Sequence, residues 1–196
     1  MTITRVVIAE DEALIRLDLR ESSVEAGYEV VGEAADGAEA VAHVRQTEAD
    51  VVILDVMMPG VDGLTAAREI MADRLAAVVI LTAYSQRELV EQARDAGAMA
   101  YLVKPFQPQE LVPAIELAVA RFRELDVLAK EAESLSDRLE TRKIIDRAKG
   151  KLMDEQSISE QDSFRFLQQT AMSRRTSMKK IALAVLNEGL VPEPDG

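Results

Sequence analysis

Five side chains carry most of the chemistry this sequence can offer: Glu10, Asp11, Asp55, Thr82 and Lys104. Each stands at or just past the end of a short β-branched run: Glu10 and Asp11 after the first, Asp55 after the third, Thr82 after the fourth and Lys104 after the fifth. In an open parallel α/β sheet, ligands bind beyond the carboxyl ends of the strands. Three carboxylates, a hydroxyl and an ammonium are therefore expected to converge despite their distance in sequence. Three carboxylates that close cannot all ionise without a counter-charge. A hard divalent cation with oxygen ligands answers this, and Mg²⁺ suits a site of few carboxylates completed by water and phosphate. Such an assembly fits phosphoryl transfer to Asp55, because a carboxylate can act as the nucleophile and form an acyl phosphate. The metal and Lys104 would offset charge on the phosphoryl oxygens, since this catalysis is mostly positioning and electrostatics. Thr82 would donate a hydrogen bond to a phosphoryl oxygen, an attraction present only in the modified state and so able to bias a two-state element. One acid at a strand end is more often a helix cap or a solvated loop residue. Capping does not, however, place five such groups at the ends of four different strands.

The elements that must position these residues are legible over the first 120 residues. Short apolar runs at Arg5–Ala9, Glu29–Glu33, Val51–Leu54, Val78–Leu81 and Ala100–Val103 predict strands. Helical periodicity fills Ala13–Ala26, Ala38–Glu48, Leu64–Ala72 and Arg87–Ala96, and begins again at Glu110. Gly27 and Gly97 fall where helix C-caps belong. Five strands alternating with five helices imply a parallel sheet covered on both faces, and the uninterrupted apolar character of Val51–Leu54 agrees.

Several stretches resemble the receiver domain of two-component response regulators. They are Val7-Ile-Ala-Glu-Asp-Glu12, Leu54-Asp-Val-Met-Met-Pro-Gly-Val-Asp-Gly63, Leu81-Thr-Ala83 and Tyr101-Leu-Val-Lys-Pro-Phe106. The resemblance covers about residues 4–120, with four motifs in the family's order and spacing. It implies a flavodoxin-like (βα)₅ fold, Mg²⁺ at Glu10, Asp11, Asp55 and the backbone carbonyl of Met57, and phosphorylation of Asp55 by a sensor histidine kinase or a small phosphodonor. It further implies an aromatic switch at Tyr101 that turns inward as Thr82 moves toward the phosphate, and a cis peptide at Lys104–Pro105. The chain carries Glu10-Asp11 where some members carry two aspartates. The single histidine, His43, lies among Ala and Val on a predicted helix and is read as a surface or half-buried residue, not a phosphohistidine.

The rest of the chain has a different character. Residues 1–120 hold 9 Lys/Arg against 21 Asp/Glu, whereas residues 121–196 hold 14 of each, and Arg138 to Asn187 holds 11 basic against 6 acidic. An acidic part joined to a mildly basic one points to two domains with different partners. From Leu111, apolar residues continue at Ile115, Ala118, Phe122, Leu125, Leu128, Ala132, Leu135 and Leu139 in heptad-like steps. The spacing predicts one long helix from Glu110 to about Leu139, uninterrupted by Gly or Pro, serving as a rigid spacer or as a homodimer seam. Three shorter helices are expected after it. The first covers about Arg142–Met153. The second opens on the capping-box pattern Ser159-Glu-Gln-Asp162 and carries Phe164, Leu167 and Ala171 on one face. The third starts near Ser177, with Met178, Ile181, Val185 and Leu186 inward. The division expected is a receiver over 1–120, a linker helix over 121–139, an all-α three-helix domain over 140–187 and a disordered tail over 188–196.

Basic residues decorate that helical part: Arg142, Lys143, Arg147, Lys149, Lys151, Arg174, Arg175, Lys179 and Lys180. Such faces suit a phosphate backbone, whose contacts set affinity more than sequence, although they can also merely solubilise a small bundle. The pattern Arg147-Ala-Lys-Gly-Lys-Leu-Met153, then Ser163-Phe164, Ala171-Met172, Arg174-Arg-Thr-Ser-Met-Lys179 and Ile181-Ala182, resembles the ANTAR domain of antitermination regulators over about residues 136–187. The resemblance implies a three-helix domain that binds paired RNA hairpins in nascent transcripts and relieves termination. By position, Ala148, Lys149, Phe164 and Ala171 match family-characteristic residues, with Phe164 and Ala171 expected to pack the bundle. Ser163 departs from the family's Ala, and the usual Gly before the second helix is replaced near Ser157. Two rival functions are a helix-turn-helix reader of duplex DNA, for which the third helix offers mainly Lys, and a protein-interaction adaptor. No turnover of a metabolite is expected. The absence of cysteine excludes a disulfide framework. No signal peptide is visible, and no run reaches the roughly 18 apolar residues of a membrane span. The cytoplasm is the expected location, with no membrane partner.

Overall fold

Five parallel strands form a sheet in the order β2-β1-β3-β4-β5: β1 Arg5–Ala9, β2 Glu29–Ala34, β3 Val51–Asp55, β4 Ala77–Thr82 and β5 Ala100–Val103. This computed structural model describes residues 3–83 and 87–192, the side chains of 87–89 excepted. Between the strands run α1 Ala13–Glu25, α2 Gly37–Thr47, α3 Gly63–Ala72 and α4 Arg87–Asp95. Three more helices follow β5: α5 Pro108–Gln156, α6 Glu160–Ser173 and α7 Met178–Glu188. The flavodoxin-like receiver fold and the all-helical remainder expected from the sequence are both present.

Strand side chains alternate between two apolar layers, as a period of two requires. Val7, Ala9, Val52, Leu54, Val78 and Ile80 pack against α2, α3 and α4. Val6, Ile8, Val51, Ile53, Val79 and Leu81 pack against α1 and the first turns of α5, notably Leu111, Ile115 and Ala118. Fully burying each such aliphatic side chain is worth about 1.5–3 kcal/mol, and this is why the central strands read as continuous apolar runs. Gly27 and Gly97 follow the ends of α1 and α4 at φ of 88° and 90°, a left-handed conformation that glycine adopts without steric cost.

The chain divides into two compact units, residues 1–128 and 129–196. In the second, Ala148, Leu152, Leu167, Ala171, Ile181, Ala182 and Val185 form a separate core. Ser159 caps α6 by accepting from the Asp162 N–H at 3.1 Å, and Ser177 caps α7 by accepting from the Lys180 N–H at 3.3 Å.

Four expectations are corrected here. The long helix does not stop near Leu139: α5 has 49 residues and absorbs the helix expected over Arg142–Met153. Its early turns do contain a proline, Pro113, which gives up one intrahelical bond to the carbonyl four residues before it. Phe164 is 44% exposed and stands outside the core that holds Leu167 and Ala171. The segment after α7 is ordered at its start: Gly189 ends the helix at φ 70°, and Leu190 donates its N–H to the Ala184 carbonyl and packs on the helical core. Residues 193–196 of the expected disordered tail lie outside the described residues.

Candidate functional site

Strand register assembles the acidic site. Ala9 pairs with Leu54, Asp55 with Leu81, and Thr82 with Val103. One step further along each strand, Glu10, Asp55, Thr82 and Lys104 stand in a row across the carboxyl edge. The row lies where the strand order reverses, between β1 and β3, which is where an open α/β sheet leaves a crevice.

Within it, Lys104 Nζ lies 2.6 Å from Glu10 Oε2 and 2.7 Å from Asp55 Oδ1. Asp55 Oδ2 accepts the Met57 N–H at 2.9 Å, and Glu10 Oε1 accepts the Glu12 N–H at 3.2 Å. Glu10 is fully buried, Asp55 and Thr82 are nearly so, and Asp11 is exposed at the rim. Burial, seconded by the nearby Asp55 charge, pushes the Glu10 carboxyl above its ordinary pKa even though Lys104 pulls the other way. Burial also opposes the charge on Lys104, but its hydrogen bonds to Asp55 and Glu10 outweigh this and hold its pKa above the ordinary value. Single oxygens of Glu10, Asp11 and Asp55 lie within 4.8 Å of one another. Apart from the Lys104 ion pair, Glu10 Oε2 has no hydrogen-bond partner among the described residues. A buried, under-satisfied carboxylate beside two more is a donor set that fits a hard divalent cation.

The remaining receiver positions are equally defined. Thr82 closes β4, and its carbonyl accepts the Lys104 N–H at 2.8 Å. Tyr101 is 52% exposed on β5, the outward position of the expected switch residue. The Lys104–Pro105 bond is cis, and His43 is half-buried on α2. Two contributors were not legible in the sequence. Arg16 on α1 donates a short bond to the Glu10 carbonyl and pairs with Glu33 at 3.7 Å; an arginine on an amphipathic helix gives no signal of this. Gly63 lies against the acceptor's own backbone: a β-carbon there would stand 1.9 Å from the Asp55 carbonyl oxygen. It was visible only as the last residue of a motif.

In the helical unit the nine basic residues separate into two groups. Lys149 bonds Asp146 at 2.9 Å and Glu160 at 2.8 Å, and Arg142 lies 4.0 Å from Asp146. Lys179 bonds Asp137 at 2.8 Å, while Lys151 donates to the Leu186 carbonyl at 3.2 Å near the end of α7. Lys143, Arg147, Arg174, Arg175 and Lys180 are exposed and show no ion pair among the described residues. Charge alone did not separate the two groups, because pairing depends on acids that approach through the fold.

A parallel sheet in this strand order, with acids and a lysine at its reversal and a helical unit with exposed basic residues following in the chain, is the arrangement of a response regulator with a nucleic-acid-directed output. The chain belongs to that family: residues 6–116 match the response regulator receiver domain and residues 133–186 the ANTAR domain. It is 59% identical over 182 residues to the transcriptional regulatory protein PdtaR of Mycobacterium tuberculosis, covering 93% of this chain and 89% of that one. The chemotaxis protein CheY of Thermotoga maritima is 41% identical over 112 residues, which are 57% of this chain and 93% of that one. Among solved structures, chemotaxis protein CheY4 of Vibrio cholerae superposes with a TM-score of 0.56 at 31% identity, covering 60% of this chain and 99% of that one. The protein is thus a phosphorylation-controlled response regulator with an ANTAR RNA-binding output, and the receiver implies a histidine kinase as phosphodonor. Both domains are regulatory rather than catalytic. Among the described residues, no helix is long and apolar enough to cross a membrane.

Proposed function

We propose that Asp55 is the phosphoacceptor, that Glu10, Asp11, Asp55 and the Met57 carbonyl hold Mg²⁺, and that the acyl phosphate controls RNA binding in transcription antitermination. The observation that carries this reading is the sharing of one lysine by Asp55 and Glu10 at the strand-order reversal. A divalent cation held there would supply positive charge to offset that of the phosphoryl oxygens. Lys104, already in contact with Asp55, supplies more, and the Met57 N–H orients the acceptor carboxylate. Thr82 donates to a phosphoryl oxygen, and Tyr101 leaves its exposed position to follow it inward. The receiver occupies 1–120, the linker 121–139, the RNA-binding domain 140–187 and the tail 188–196, all in the cytoplasm.

The RNA is a pair of hairpins in a nascent transcript, its phosphates held by Lys143, Arg147, Arg174, Arg175 and Lys180, while Arg142, Lys149, Lys151 and Lys179 of the expected set have partners within the fold. Two hairpins call for two copies of the domain, and exposed Leu125, Leu128, Leu135 and Leu139, with Ala132 between them, offer α5 as the homodimer seam. Light scattering that gives a monomer with and without phosphate would remove the dimer. Binding to a hairpin-pair RNA and to duplex DNA, with and without beryllofluoride plus Mg²⁺, tests the rest. The expected result is RNA preference that strengthens on activation in the parent protein and does not strengthen in Asp55→Ala. Equal, weak, salt-labile binding to both polymers would favour the adaptor, and preference for duplex DNA the helix-turn-helix reader.

A further inference from the structure

Phe164 presents a large aromatic ring to solvent within the helical unit. It is 44% exposed, whereas its neighbour Ser163 is fully buried and Phe166 packs against the helical core. Two surface cavities, of about 570 and 500 Å³, share Phe164 and Lys149 in their linings. Phe164 and Lys149 therefore border both clefts. Half-buried Thr141 and Ile145 contribute to the first, and Gln161 to the second.

The exposed ring and the mixed charge beside it decide what these clefts suit. Lys149 is paired with Asp146 at 2.9 Å and Glu160 at 2.8 Å, and Asp137, Arg138 and Arg142 also line the first cleft, so both signs of charge border the ring. The arginines can meet a phosphate at the edge of the cleft, but the electron-rich face of the ring offers an anion no partner. A nucleobase is uncharged, has an apolar face that stacks on an aromatic ring, and carries edge donors that carboxylates accept. Single-stranded loops are where bases are free to splay out onto such rings.

We propose that Phe164 is a stacking platform for an unpaired base of the bound RNA, with Lys149 and Asp146 of the first cleft meeting that base's polar edge. The proposal rests on the RNA-binding reading of the helical unit and assigns its base-reading position. The exposed, unpaired arginines and lysines hold the phosphate backbone, while Phe164 distinguishes looped from fully paired RNA.

The chain contains no tryptophan, so Phe164→Trp places a single indole reporter on the platform. The full-length protein, activated with beryllofluoride and Mg²⁺, is titrated with a hairpin-pair RNA carrying unpaired loops, and separately with the same stems closed as continuous duplex. Expected are quenching of the indole emission by looped RNA and not by duplex, with affinity close to that of the parent. Phe164→Ala and Phe164→Leu, at an exposed position that leaves the helical core intact, weaken looped-RNA binding by about 5- to 150-fold, the range that loss of one stacked base corresponds to. Their slope of affinity against salt stays at the parental value, because no phosphate contact is lost. Parental affinity in Phe164→Leu and Phe164→Ala, or binding of looped RNA by Phe164→Trp with unchanged emission, overturns the platform and leaves the RNA-binding reading standing. Failure of the parent protein to bind either RNA overturns both.

Discussion

Ser157 occupies a position that a glycine would fill better. It follows the last residue of α5 at φ 55°, in the left-handed region where a β-carbon meets the following carbonyl oxygen at a cost of about 1–2 kcal/mol. Ser157→Gly is expected to stabilise the helical unit by roughly 0.5–1 kcal/mol, the relief of strain exceeding the added freedom of the unfolded chain. Urea denaturation followed by helical circular dichroism checks it, and an unchanged or lower midpoint would refute it. The sequence marks this site only as a departure from the family pattern; the conformation that makes the departure costly is a property of the backbone. Glu10, Asp55, Thr82 and Lys104 were legible for the opposite reason, since strand ends fix where they go once the strands are recognised. Phe164 was misread because hydrophobicity favours it over Ser163 in the same turn. The buried column runs in steps of four through Ser163, Leu167 and Ala171, and it accepts a small serine whose hydroxyl is satisfied by the Ser159 carbonyl at 2.9 Å.

Between elements, one polar contact ties the α1–β2 junction to α5. The Tyr28 hydroxyl donates to Glu116 Oε1 at 3.0 Å, and burial, reinforced by that carboxylate, pushes the phenol pKa up to about 12. An unfolded tyrosine titrates near 10. The folded state therefore holds the proton more tightly: the stability linked to it is complete below about pH 10 and is lost as pH rises toward 12. Two pKa units correspond to roughly 2.7 kcal/mol. In denaturation at several pH values, the parent's margin over Tyr28→Phe should shrink across that window by up to this amount. A margin that stays constant from pH 9 to 12 would show that the bond does not hold the proton. The paired elements in the sheet-bearing unit were readable because each strand and helix ends on a glycine, a cap or a change of period. The continuous α5 was not, because no breaker separates Leu139 from Arg142 and a shift in the apolar face there resembles an end. The helix simply exchanges the solvent-exposed stripe of the linker for the Ala148 and Leu152 face of the helical core.

Across the whole molecule, charge is divided to match function: the receiver segment is strongly acidic, while Arg138 to Asn187 holds 11 basic against 6 acidic residues. Net charge alone overstates what reaches RNA, because the fold commits some of these cations internally. Lys151 caps a carbonyl of α7, and Lys179 is held by Asp137 and lies 3.9 Å from Glu140. The exposed group is free to displace counterions from phosphates, and each such contact contributes about 0.7 to the slope of log affinity against log salt for single-stranded RNA. Changing Arg147, Arg174 and Arg175 together to Gln should therefore flatten that slope by roughly 2 and weaken looped and duplex RNA alike. Lys151→Gln and Lys179→Gln should leave the slope close to the parental value and lower the unfolding midpoint of the helical unit instead, because what they lose is an internal partner. Filter binding over a range of salt, with denaturation of the same variants, separates the two outcomes. Equal slope changes in both sets would mean that the internal pairs open on binding and that all the cations named here reach the phosphate backbone.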